Sequence, residues 1–279
     1  MGMFWAKVKL TAPSMLGGRF KARPLSIASP GLRETVDHAE PKLRSYERLA
    51  ALYHDYARTF CPNYVAFLAS LAKKHGVEIR SVLDLACGAG TLTTRLATWA
   101  SRVVGLDLSE AMLAAAGKTC QAHGNVRLVQ GDYRDFTLPD RFDAVVCASD
   151  SLNYLHAPAE LAQVFGCVAR HLNPGGFFVF DALDDRGFRR YSDKYIPVQI
   201  DGTECSIVLR YDPENRVENS LAVFGNEVEL HRRVPIEPDD VMKAAERNEL
   251  VAIDWFSVAG FGLLKYGGFR NFFVMRRDS

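Results

Sequence analysis

Apolar positions along the chain fall into two alternating rhythms. Short apolar runs at 81–86, 102–107, 126–130, 142–147 and 177–181 have the length and flanking turns of buried strands. Around them, apolar residues recur at three- and four-residue steps, the spacing of one helix face. From Pro41, the residues Tyr46, Leu49, Leu52, Tyr53 and Tyr56 trace such a face. Tyr64, Phe67, Leu68 and Leu71 trace a second over 62–75, which His75-Gly76 stops. Helices are also predicted over 91–99, from Ser109 through Met112, Leu113 and Ala116, and over 157–172. Ser109 supplies a capping hydroxyl, and Glu110 favours the positive end of the helix dipole. The turn Asn173-Pro174-Gly175-Gly176 leads into the strand at 177–181. Strands alternating with helices predict an α/β fold with a doubly wound, mostly parallel sheet.

Beyond Asp181 the rhythm changes. Runs at 207–211, 221–224 and 228–234 are β-like, separated by Asp212-Pro213-Glu214-Asn215 and by a hairpin signal at Gly225-Asn226. Residues 184–236 therefore read as a small antiparallel β insertion over the sheet edge. A helix over 238–250 and strands over 251–258 and 269–275 then complete a seven-stranded sheet with an antiparallel pair.

Candidate chemistry gathers at the strand ends. The run Val82-Leu83-Asp84-Leu85 opens into the small-residue turn Ala86-Cys87-Gly88-Ala89-Gly90-Thr91, and open α/β sheets bind ligands at such junctions. Gly88 and Gly90 carry no Cβ and let a ligand approach the main chain. Val103-Val104-Gly105-Leu106-Asp107 ends in a second carboxylate, 17 residues after Gly90, placed to accept both hydroxyls of a ribose. A dinucleotide fingerprint needs a third glycine, but Thr93 stands in its place. Asp84 would also repel a pyrophosphate. A cationic amino acid–nucleoside conjugate suits this acidic turn better.

On these residues the chain resembles the class I S-adenosylmethionine-dependent methyltransferases. Asp84-x-x-Cys87-Gly88-x-Gly90 is similar to their first motif and Gly105-Leu106-Asp107-Leu108-Ser109 to their second. Gly131-Asp132-Tyr133 is similar to their acidic adenine-contact motif, and the closing hairpin to their usual ending. The resemblance covers roughly residues 80–182. It implies a Rossmann-like fold and S-adenosylmethionine as cofactor. Asp84, Gly88 and Gly90 are then expected at the methionine end, Asp107 on the ribose, and Asp132 with Tyr133 on the adenine. Cys87, Leu108 and Ser149 complete the implied cofactor set. The loop Ala148-Ser149-Asp150-Ser151-Leu152-Asn153-Tyr154 lacks the Asn/Asp-Pro-Pro-Tyr tetrad of the adenine- and amide-modifying branches. A small-molecule acceptor, methylated on oxygen or nitrogen, is the expectation.

Displacement at an activated sulfonium mainly needs an aligned nucleophile, and the acceptor needs a base. Asp150 and His231 are the candidate catalytic residues, with His156 a further candidate base. Tyr46, Tyr53 and Tyr56 read either as a lid helix or as ordinary packing. Arg210, Arg232 and Arg233 read either as attraction for an acidic acceptor or as a solvated face.

Composition narrows the remaining classes. At 279 residues and 48% apolar the chain can bury one large core. A net charge of +1 predicts no nucleic-acid partner, and no apolar run approaches the roughly 20 residues of a membrane span. Six cysteines without a C-x-x-C pair read as reduced thiols, which fits a cytoplasmic protein. Residues 1–33 hold six basic residues and no acid before Glu34. They read as a disordered leader ahead of a methyltransferase domain over 34–279, with a mitochondrial address as the alternative. A non-catalytic cofactor-binding or assembly protein and a nicotinamide oxidoreductase are the competing functions. The absence of a Tyr-x-x-x-Lys pair counts against the second, and neither a phosphate-binding lysine loop nor a metal cluster is present.

Overall fold

The computed structural model describes residues 23–28, 30–37, 46, 48–50, 64–200, 203–259, 262–264 and 270–278. In chain order its first half holds β1 (Arg23–Pro24), α1 (Pro30–Asp37), α2 (Tyr64–His75), β2 (Ser81–Leu85), α3 (Thr91–Ala97), β3 (Arg102–Asp107), α4 (Glu110–Cys120), β4 (Val126–Gln130) and β5 (Phe142–Cys147). There follow α5 (Pro158–His171), β6 (Leu172–Leu183), α6 (Asp185–Tyr191), β7 (Lys194–Ile200), β8 (Thr203–Asp212), β9 (Val217–Phe224) and β10 (Glu227–Arg233). The chain closes with α7 (Pro238–Glu246), β11 (Leu250–Ala259), β12 (Gly262–Leu264) and β13 (Arg270–Arg277).

The main sheet runs β12-β11-β13-β6-β5-β2-β3-β4. Its β4, β3, β2, β5 and β6 are parallel, and β13 and β11 add antiparallel. These are the seven expected strands, with the three-residue β12 added at the edge. Successive residues of a strand point to opposite faces, and the near-continuous apolar strands feed two cores. Leu83, Leu85, Val104, Leu106, Val145 and Phe180 pack with Val164, Phe165 and Val168 of α5 and Val241 of α7. Val82, Val103, Ala144, Val146 and Val179 pack with Phe67, Leu68 and Leu71 of α2 and Leu92 and Leu96 of α3. Both faces are thus covered, as a parallel sheet requires.

The insertion is a second, five-stranded antiparallel sheet in the order β1-β7-β8-β9-β10. The sequence reading missed β7, because Pro197 demotes that run to an edge. Among the described residues it is one beyond the two that pair with β1. The Asn173–Gly176 turn is also absorbed into β6 as a register shift between Phe142↔Leu172 and Ala144↔Phe177. Part of the segment expected as a leader over 1–33 lies against the second sheet. Arg23 pairs with Tyr195, while Leu25, Ala28 and Val36 are buried against Val208, Leu221 and Val223 of the second sheet. Residues 1–22, and the Leu52, Tyr53 and Tyr56 part of the helix expected from Pro41, lie outside the described residues. Among the described residues, Cys87, Cys120, Cys147, Cys167 and Cys205 are free and buried, and no helix is long and apolar enough to cross a membrane.

Candidate active site

The turn after β2 is built from alternate left-handed residues: Ala86 (φ 52°), Gly88 (φ 54°) and Gly90 (φ 79°). Gly90 serves the fold more than ligand approach. A Cβ there would stand 2.9 Å from Cys120 Sγ and 3.2 Å from Ala116 Cα, so its smallness lets α4 pack against the turn. Thr93, in the place of the missing third glycine, donates its hydroxyl to the buried Asp84 carboxylate at 2.6 Å. Burial pushes the Asp84 carboxyl up to about 7; the Thr93 bond acts against that shift and the nearby Asp107 charge acts with it. Burial also pushes the Cys87 thiol up, keeping it protonated.

Asp107 closes β3 with its carboxylate held from two sides. Gly88 N–H donates to one oxygen at 2.8 Å and Ser109 N–H to the other at 2.9 Å. Burial raises its pKa and outweighs those two donors. Each oxygen keeps a further acceptor position. Ser109 also accepts Met112 N–H at 3.3 Å, the helix cap expected of it. Next to Asp107, Leu108 is a large apolar side chain left 63% exposed.

The motif after β4 is arranged differently from the expectation. Asp132 is clasped by the Arg134 guanidinium at 2.6 and 3.0 Å, which holds its carboxyl below the usual range. Arg134 continues to Glu160 at 2.5 Å. The Tyr133 hydroxyl donates to Ser151 O at 3.3 Å.

After β5 the chain makes two consecutive left-handed residues, Ser149 (φ 63°) and Asp150 (φ 51°). Asp181 of β6 clamps them, accepting Ser149 N–H at 2.8 Å and Asp150 N–H at 3.0 Å, together with the Tyr64 hydroxyl at 2.5 Å and Arg270. The Asp150 carboxylate is buried between Arg233 and Arg270, the latter at 2.9 Å. Paired to two guanidiniums, it does not border the cavity, so the structure does not bring it to the place expected of a base. Arg233 itself is no solvated surface charge: its side chain is 16% exposed and paired with Asp150 and Glu218. His231 is also buried and off the cavity wall, with Nδ1 3.2 Å from the Tyr154 hydroxyl. His156 is exposed at the cavity.

These strand ends enclose a cavity of about 1160 Å³, bordered by Asp84, Cys87, Gly88, Asp107, Leu108, Asp132, Tyr133 and Ser149 among others. Gly90 of the expected set is not on its wall. The volume exceeds the range of a single small-molecule site, which leaves room for two ligands. Among the described residues, Asp84, Asp107, Glu110 and Asp132 face it against one guanidinium, that of Arg134. The wall therefore favours cationic ligands.

Residues 82–176 match the family model described as "Methyltransferase domain". A Geobacillus sp. (strain WCH70) protein named as a methyltransferase is 34% identical over 213 residues, 72% of this chain and 81% of its own length. The chain belongs to the class I S-adenosylmethionine-dependent methyltransferases. Another member, the dTDP-3-amino-3,4,6-trideoxy-alpha-D-glucopyranose N,N-dimethyltransferase of Streptomyces venezuelae, is 39% identical over 114 residues, 41% of this chain and 47% of that protein. The chain spans less than half the length of the first curated relatives it matches. An S-adenosylmethionine-dependent methyltransferase from Clostridium acetobutylicum shares the fold, with a TM-score of 0.70 at 21% identity over 85% of this chain and all of that one. The family's cofactor is S-adenosylmethionine, and the residues present fit it. The acidic wall suits a sulfonium and an ammonium, Asp107 retains acceptor positions for hydroxyls, and the exposed Leu108 leaves an apolar face for a ring to cover.

Several members of this site had no signal in local sequence. Asp181 is the exception. It is an acid at the end of the apolar run 177–181, the same signal that singled out Asp84 and Asp107.

Proposed function

We propose that the chain transfers the methyl group of S-adenosylmethionine to the nitrogen of a small amine of the amino-sugar class. The observation that carries this reading is the Asp107 carboxylate, oriented by two backbone N–H groups at the end of β3 beside an acidic cavity with room for two ligands. The choice of nitrogen is supported by relatives named as dimethyltransferases of dTDP-linked amino sugars. In this reading Asp107 accepts the ribose hydroxyls. Asp84 and the turn residues Cys87, Gly88 and Ala89 hold the methionine end, with Gly90 shaping that turn from behind. Leu108, Tyr133 and the Asp132–Arg134 pair flank the adenine, and Ser149 borders the reacting centre.

Bound S-adenosylmethionine supplies a methyl carbon activated by a cationic sulfur. The chain's own contribution is to bind, align and exclude water, because in-line displacement depends chiefly on positioning. Tyr46, Tyr154 and His156 border the cavity and are the groups available to the acceptor.

Calorimetric titration with S-adenosylmethionine, S-adenosylhomocysteine and NADH tests the cofactor assignment. Micromolar binding of the two adenosyl ligands and none of NADH is expected. Absence of adenosyl binding overturns the assignment. Product mass analysis with a dTDP-3-amino-3,6-dideoxyglucose acceptor and its 3-hydroxy counterpart then separates nitrogen from oxygen. Methylation of the hydroxy compound alone would overturn the amine reading.

Asp84 makes both binding and stability depend on pH. Its folded pKa of about 7 lies above the ordinary 3.8. The stability associated with its proton is therefore complete below pH 4 and is lost as pH rises to 7. Asp84→Asn keeps an acceptor for Thr93 but carries no charge. Relative to the native chain it should gain up to roughly 1.4 kcal/mol per pH unit across that window, measured by urea unfolding at pH 5 and 7.5. Cofactor affinity of the native chain should rise over the same interval, since a cationic ligand favours the ionised carboxylate. A flat difference between the two proteins would show that Asp84 does not titrate there.

A further inference from the structure

We propose that Glu229, His231, Tyr154 and Tyr46 form a proton relay that carries the acceptor's proton out of the cavity. The inference rests on the methyl-transfer reading above and extends it to the source of the base. Tyr46 and Tyr154 border the cavity, and their hydroxyls lie 2.6 Å apart. Behind them, His231 Nδ1 is 3.2 Å from the Tyr154 hydroxyl, and His231 Nε2 is 3.5 Å from Glu229 Oε2. The four side chains thus form one chain of polar atoms from the wall into the protein.

Two features distinguish it from ordinary packing. Glu229 is fully buried; its Oε1 accepts the N–H groups of Arg48 and of Leu49, the latter at 2.8 Å. Its Oε2 and the buried His231 Nε2 have no hydrogen-bond partner among the described residues, yet they face each other. Buried polar atoms in native proteins are rarely left so. Glu229 and His231 are two apart on β10, so both project from one face of the strand. Tyr154 is fixed independently. Its neighbour Asn153 exchanges hydrogen bonds with Leu183 N–H (2.9 Å), Leu183 O (2.8 Å) and Val234 O (2.7 Å), anchoring the Ser151–Tyr154 turn to β6 and to the end of β10.

The arrangement determines the direction of proton flow. A carboxylate accepts only, so it selects the tautomer with the proton on Nε2. Nδ1 then presents its lone pair to the Tyr154 hydroxyl. A protonated amine acceptor has no free lone pair. Its N–H proton passes to the hydroxyl pair as Tyr154 passes its own proton to Nδ1, leaving an imidazolium against Glu229. The freed nitrogen lone pair forms the bond to the methyl carbon. The carbon–sulfur pair stays on sulfur, which becomes a neutral thioether. The imidazolium returns its proton to water when products leave. The titratable and charged groups facing His231 among the described residues are Glu229 from β10, Tyr154 from the turn and Tyr46. Arg233, two residues along β10, is held by Asp150 and Glu218.

The decisive measurement is the tautomer. In the full chain labelled with ¹⁵N-histidine, long-range ¹H–¹⁵N spectra report which ring nitrogen of His231 carries the proton, the signal being assigned by its loss in His231→Gln. The Nε2–H form is expected. In Glu229→Gln the amide oxygen still accepts the N–H groups of Arg48 and Leu49, while its NH₂ faces Nε2. The tautomer should then switch to Nδ1–H, and methyl transfer to the 3-amino sugar nucleotide should fall about 100-fold, the order of a general-base contribution. The KM for cofactor should not change. In His231→Gln the residual rate should rise only with the free amine's own ionisation, at higher pH. An Nδ1–H tautomer in the native chain, or a Glu229→Gln variant with unchanged tautomer and rate, overturns the relay. Failure of the native chain to bind S-adenosylmethionine instead overturns the underlying function, and calorimetry separates the two.

Discussion

Asp107→Ala is expected to lose at least about 100-fold in affinity for S-adenosylmethionine while remaining folded. A hydrogen bond to a charged group contributes about 1.5–3 kcal/mol. Two ribose hydroxyls on one carboxylate therefore correspond to roughly 3–6 kcal/mol, or about 10² to 10⁴ in dissociation constant. The substitution also frees the N–H groups of Gly88 and Ser109, which now meet that carboxylate at 2.8 and 2.9 Å. Some loosening of the glycine turn is expected, of about 1–3 kcal/mol. Removing a buried acid whose ionisation is already opposed offsets part of it. Calorimetry gives the affinity and thermal unfolding the stability. Unchanged affinity in a folded variant would falsify the ribose assignment.

The largest effect on stability should come from Asp181→Ala. Asp181 is fully buried and is the common acceptor for Tyr64, Arg270 and the N–H groups of Ser149 and Asp150. Removing it leaves Arg270 with Asp150 as its partner and strands three other donors in the interior. Each buried donor left unsatisfied costs about 1–3 kcal/mol. The two left-handed residues at 149 and 150 each hold strain of order 1–3 kcal/mol that the clamp maintains. The loop is expected to relax, and because Ser149 borders the cavity, cofactor affinity should fall with stability. A urea midpoint within error of the native chain would show that the clamp does not hold the loop.

The sequence carried the sheet because each strand announces itself locally. Runs such as Val82–Leu85 and Val103–Leu106 are buried on both faces, and continuous apolar runs of that length have few other destinations. The acids Asp84 and Asp107 were legible for a related reason. A carboxylate at the carboxyl end of a buried strand that turns into a helix lies at the ligand-binding rim by topology. Thr93 was legible as a departure from a dinucleotide site, though its bond to Asp84 was not.

What the sequence does not show has a different cause. Asp150 stands in the right loop, and its sequence neighbours do not reveal that Arg233 and Arg270 close on it from 83 and 120 residues away. Glu229 receives its capping donors from a segment 180 residues earlier, and Tyr154 meets Tyr46 across 108. The packing of Leu25 and Ala28 on β8 and β9 is hidden for the same reason, since charge is visible in sequence and the apolar face they cover is not.

What the chain determined by itself is thus the set of short-range commitments: strand, acid, turn, helix, and through them the fold and the cofactor class. Only the tertiary structure decided which carboxylates are spent in ion pairs, which remain for a ligand, and how a buried histidine reaches the cavity. Those outcomes depend on which side chains meet after collapse, where low dielectric makes each pairing far stronger than it is in the extended chain.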